Sequence, residues 1–168
     1  GPAPGGTVAF KDGGVAIPGC GAVALAGSGT VRRASCSTSA LAPGSRSITA
    51  EYSGDANYAG STSPALAQFV QVTTPTPFGF THQTNAAPGA LVTSSTATIS
   101  GINAPAAISV TGGLYSIGCT GAFTATPGTI SPGATVCVRH VTPLALGATT
   151  TTTLAVGTGG ANFNSTTA

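Results

Sequence analysis

Glycine and proline punctuate this chain so often that no stretch between them suits a stable helix. Proline removes a backbone donor and glycine loosens the backbone, so each interrupts a regular element. Between these breaks the apolar residues alternate instead of recurring at three and four. Ser47 to Tyr52 sets Ile48, Ala50 and Tyr52 on one face and Ser47, Thr49 and Glu51 on the other. Ala134 to His140 likewise places Val136 and Val138 together, opposite Thr135, Cys137 and Arg139. A period of two belongs to strands. Thr96 to Ile99, Ile108 to Thr111 and Thr149 to Val156 are further β-rich segments. Turn signals such as Asp12-Gly13-Gly14, Pro88-Gly89, Gly112-Gly113 and Pro132-Gly133 separate them. Many short strands with regular turns predict an all-β chain built of sandwiches.

Apolar residues make up 41% of the chain, so it can bury a core, but there is no Trp, no Met and only 5% aromatic residues. A core of Val, Ile, Leu and Ala buries little area per residue and calls for staples. Cys20, Cys36, Cys119 and Cys137 are the candidates; they form no C-x-x-C pair and have no histidine pair at zinc-site spacing. Four cysteines allow three pairings, and four reduced, buried thiols are the plain alternative. Local pairing, Cys20 with Cys36 and Cys119 with Cys137, would close one short loop in each half and contribute about 3 kcal/mol apiece. Paired cysteines imply an oxidising compartment outside the cytoplasm.

Charged residues are 5% of the chain, against about 25% in an ordinary soluble domain. Beyond Asp55 there is no acidic residue, and Arg139 is the sole Lys or Arg. Charges keep proteins apart and supply most catalytic and metal-binding groups. This composition therefore argues against an enzyme and for a chain that packs against copies of itself or sits outside a cell as inert architecture. A net charge of +2, with Arg32-Arg33 as the lone adjacent basic pair, does not suit nucleic acid. No apolar run approaches the 18 or so residues of a membrane span. With no methionine and no signal peptide, the chain is expected to be a processed or excised stretch, and Gly1-Pro2 fits a protease scar.

Thr73-Thr74-Pro75-Thr76-Pro77 reads as an extended linker. It divides the chain into residues 1–72, a connector at 73–77, and residues 78–168. In the first part, Gly6-Thr7-Val8-Ala9-Phe10-Lys11-Asp12-Gly13-Gly14 is followed by the run from Leu41 through Ser47-Ile48-Thr49-Ala50-Glu51-Tyr52-Ser53-Gly54-Asp55-Ala56-Asn57-Tyr58 to Ser63. These residues resemble the hallmark hairpin and "S-I-T-A-x-Y-x-G-D-x-N-Y" run of bacterial Ig-like repeats, with Arg46 where the family often has His. The resemblance implies an immunoglobulin-like sandwich from a large bacterial surface protein and no catalytic residues. Such repeats usually carry two further strands before that hairpin, so the first sandwich is expected to lack its opening strands. The second part resembles, more loosely, a Thr-rich module of Gram-negative surface proteins, through Phe78-Gly79-Phe80-Thr81, Ser109 to Ile117, Gly133 to His140 and Thr149 to Leu154. By that pattern Cys137 points off the core face, and Cys119–Cys137 would be a surface staple.

Site chemistry is sparse. His82 and His140 lie in the second part, whereas Asp12, Glu51 and Asp55 all lie in the first. A Ser-His-Asp triad would need both parts held rigidly together. Asp55 with Asn57 is the nearest approach to a calcium site, but Gly54-Asp55-Ala56-Asn57 reads more simply as an Asx turn. Tyr52 and Tyr58 could stack on sugars, or simply pack at a strand corner. Asn164-Ser165-Thr166 fits an N-glycosylation sequon, and the Thr149–Thr153 run could carry O-linked sugars or be an exposed strand. No catalytic residue, cofactor or metal ligand is assigned. The expected protein is a secreted bacterial surface subunit whose partners are copies of itself, joined head-to-tail by β-strand addition into a fibre, with host or matrix glycans as further candidates. The alternatives are a passive adhesin stalk and a carbohydrate-binding module.

Overall fold

The computed structural model describes residues 1–168, and every regular element in it is a strand. Two compact units emerge, Gly1–Val70 and Gln71–Ala168. The first contains β1 (Thr7–Asp12), β2 (Val15–Ala16), β3 (Val23–Ala24), β4 (Gly44–Tyr52), β5 (Ser61–Thr62) and β6 (Leu66–Val70), all in one sheet. Strands β1 and β4 form its centre. β2 and β3 together edge β1, and β5 and β6 edge β4. The β1–β2 hairpin turns at Gly13 and Gly14, both with positive φ (57° and 88°), the backbone that a two-residue hairpin of this hand requires. This unit is one sheet backed by an irregular, disulfide-closed loop: half of a sandwich.

The second unit is a complete sandwich. It contains β7 (Gln83–Ala86), β8 (Leu91–Thr93), β9 (Ala97–Thr98), β10 (Ala106–Thr111), β11 (Leu114–Ile117), β12 (Gly128–Ile130), β13 (Thr135–Val141), β14 (Thr149–Val156) and β15 (Gly159–Thr167). One sheet runs β12-β10-β14-β15-β7, with β7 parallel to β15; the other runs β11-β13-β8, with β9 also on β13. Their inner faces meet through side chains two apart: Val136 and Val138 on β13, Leu154 and Val156 on β14, Ile108 on β10 and Phe163 on β15, each at most 1% exposed. Phe80 meets Phe163 edge to face at 6.5 Å between ring centroids. The long β14–β15 hairpin turns at Gly157 (φ 55°), where a Cβ would also collide with the Thr73 carbonyl oxygen.

The Thr-Pro segment expected as a connector lies on the second unit instead. Val72 N–H donates to Asn103 Oδ1 (2.7 Å), Thr76 N–H donates to Ser100 O (2.8 Å), and Pro75 is buried. Proline pre-sets an extended backbone, and that backbone here finds fixed partners along the sandwich instead of water.

Candidate interaction surface

Register places Val8, Phe10, Ile48, Ala50 and Tyr52 on one face of the first sheet, because Val8 pairs with Tyr52 and Phe10 with Ala50. Leu66 joins them opposite Ile48. The other face carries Lys11, Thr49 and Glu51, with Lys11 and Glu51 in an ion pair. The apolar face is only partly covered. Of all the apolar residues in this unit, Ile17 and Cys20 alone are fully buried. Phe10, Ile17, Leu41, Ile48 and Leu66 line an open trough of about 240 Å³ that also reaches Cys20 and Cys36. Leu66 is 63% exposed and Val31 69%. A second hollow on the same face, about 410 Å³, lies between Val8, Leu25, Val31 and Tyr52.

The cover that exists comes from the β2–β3 connection and the loop between β3 and β4, which a Cys20–Cys36 disulfide ties together with Cα atoms 5.8 Å apart. Phe10 N–H donates to Cys20 O and Ile17 N–H to Phe10 O, both at 2.9 Å, so the β2–β3 connection continues the edge of β1. In the second unit Cys119 and Cys137 are bonded, with Cα atoms 5.5 Å apart. Cys137 does lie on the outward side of β13, but at 2% exposure it is shielded and not at the surface.

The acidic residues, tyrosines and histidines singled out in the sequence all have structural partners. Asp55 Oδ1 accepts from Asn57 N–H (2.7 Å) and Tyr58 N–H (2.9 Å), and its Oδ2 accepts from Gly5 N–H (2.5 Å). Those backbone bonds, Gly5's first, hold its carboxyl below the ordinary range. Tyr52 donates to Gly5 O (2.9 Å) and Tyr58 to Pro2 O (2.7 Å), so the two tyrosines clamp the start of the chain. Burial, then the nearby Asp55 charge, raises the Tyr52 phenol. Asp12 faces Arg46 at 3.5 Å. His82 accepts from Asn164 N–H at 3.1 Å.

His140 sits in the core, a placement that period-two counting from Val136 and Val138 could have revealed. Its Nδ1 lies 2.7 Å from Thr152 Oγ1 and its Nε2 2.6 Å from Ser165 Oγ, and its ring stacks on Phe163. Thr152 donates its hydroxyl proton to Gly112 O (3.0 Å). It must therefore accept from Nδ1–H, which leaves Nε2 to accept from Ser165. Burial lowers the His140 pKa. A serine against an imidazole is the pairing used in nucleophilic catalysis, but Ser165 and Thr152 are both 0% exposed, so no substrate reaches the pair. The same burial removes the sequon: Asn164-Ser165-Thr166 lies inside β15, with Ser165 in the core. Thr149, Thr151 and Thr153 face outward on β14, and Thr149 and Thr153 already bond to Thr166 and Asn162 across to β15.

Residues 1–73 match the family model described as bacterial Ig-like domain (group 3). Among solved structures, the chain is similar to domains 4 and 5 of the S-layer protein SbsC, at 14% identity and a TM-score of 0.38. That alignment covers 96% of this chain and 70% of that one. No curated protein matches. The hairpin glycines of the β1–β2 turn and the Tyr-Ser-Gly-Asp-Ala-Asn-Tyr clamp both lie within the matched residues 1–73, so the first unit, Gly1–Val70, is the part of this chain that carries the match to a bacterial Ig-like domain.

Proposed function

We propose that this chain is a non-enzymatic, extracellular structural subunit that joins copies of itself head-to-tail, a segment of one copy supplying the layer that the first unit's sheet lacks. The first unit's open face carries this reading: Phe10, Ile48 and Leu66 border a trough instead of a packed second sheet. Apolar area left in water is a driving force for association. Strand addition to an exposed sheet is a recurring way to satisfy it, and contact between unlike surfaces propagates instead of closing. The scarcity of charge after Asp55 removes the repulsion that ordinarily keeps such chains apart. Two disulfides and a bacterial Ig-like unit support a place at or beyond the cell surface.

Light scattering after size exclusion, with negative-stain imaging, tests this across a concentration series. Concentration-dependent, head-to-tail oligomers are expected. A monodisperse monomer throughout would leave the second reading, a passive stalk module. That reading is favoured by the loop that already buries Ile17 and Cys20 over the same face.

A further inference from the structure

We infer that the donor in this assembly is the loop between β13 and β14, and that Leu144 and Leu146 are the side chains it delivers into the first unit of the next copy. This rests on the self-assembly reading above and names the element that performs it. Leu144 is 84% exposed and Leu146 72%, beside Leu91 (60%) and Val141 (57%), which are cross-strand partners. The loop is nevertheless firmly tied. Thr167 Oγ1 donates to Ala145 O (2.6 Å), Gly147 N–H to Thr167 O (3.0 Å) and Gly89 N–H to Pro143 O (3.1 Å). An anchored loop that holds two leucines out in water is ordered before any contact, so docking costs it little conformational freedom.

The receptor is the trough lined by Phe10, Leu41, Ile48 and Leu66, and its polar rim residues, Thr38 and Gln68, are uncharged. On the donor side, Arg139 is the second unit's single Lys or Arg, and it stacks on Phe123 at 4.0 Å. No acidic side chain of the second unit has to be stripped of water on docking, because that unit has no Asp or Glu. Donor and receptor lie on different units of one chain, so each copy can give and receive at once, which is the condition for a filament.

The test compares the full chain with Leu144→Asp/Leu146→Asp and with Leu66→Asp. All three substituted leucines are solvent-exposed, so circular dichroism, and melting compared at concentrations where the parent is also monomeric, should match the parent. Sedimentation should show each variant monomeric where the parent is oligomeric, with the assembly threshold raised on the order of a hundredfold. An equimolar mixture of the two variants should give a 1:1 dimer and nothing longer, since only one good interface can form. If the parent is monomeric, this inference and the self-assembly reading fall together. If the parent assembles and Leu66→Asp blocks it while the double variant does not, assembly stands and the Leu144 loop is not the donor. Unimpaired assembly of Leu66→Asp would likewise remove the trough as receptor.

Discussion

Asp55 and His140 titrate in different pH windows, one in each unit. The Asp55 carboxyl is held low by Gly5, Asn57 and Tyr58 N–H groups, so its contribution is complete above its ordinary value of 3.8 and is lost as pH falls through the lower folded value. The buried imidazole of His140 also has a folded pKa below its ordinary 6.5. Its contribution is full above 6.5 and drains as pH falls below that toward the folded value, because the unfolded chain takes up the proton first. Denaturant titrations at a series of pH values should show the second unit weakening from about pH 6.5 downward, with the first unit holding to lower pH. Asp55→Asn should erase the lower window and leave the upper one unchanged. Ser165→Ala should cost about 1–3 kcal/mol, since it leaves a buried ring nitrogen without its donor. A loss well under that range would mean the His140 network is not satisfied as the distances imply.

At the scale of elements, the two disulfides do unequal jobs. Cys119–Cys137 braces a sandwich that already has a core, whereas Cys20–Cys36 ties down the only cover the first sheet possesses. Replacing Cys20 and Cys36 by alanine should lower the first unit's stability by about 3 kcal/mol and increase binding of an apolar dye, with little change in the second unit's transition. Gly157→Ala should cost more than about 1 kcal/mol, because the left-handed turn and the Thr73 carbonyl both exclude a Cβ. Much of this level was legible in the chain. Thr149–Val156 is β14 residue for residue, and the alternation at Ser47 to Tyr52 is the face seen in β4. Three features were not. The Thr-Pro segment reads as a connector because proline specifies extension but says nothing of the Asn103 and Ser100 groups that receive it. The Asn164 sequon is a three-letter pattern blind to strand phase. The outward position of Cys137 was legible, but its shielding depends on the fold around it.

For the whole molecule, β7 and β15 are the first and last strands of the second unit, and they lie side by side and parallel, with Ser165 opposite Gln83 and Thr167 opposite Ala86. A tug on the flanking chain therefore pulls these neighbours in opposite senses along their length. Their bridges must give way together, not one after another as in a hairpin peeled from its open end. Tension arriving through Gln71 meets the Val72–Asn103 pair before it reaches β7 at all. Single-molecule stretching should show the first unit yielding at low force and the second at markedly higher force, with Asn103→Ala lowering the second peak. A subunit strung into a thread would then have one module that gives and one that holds its shape when the thread is pulled.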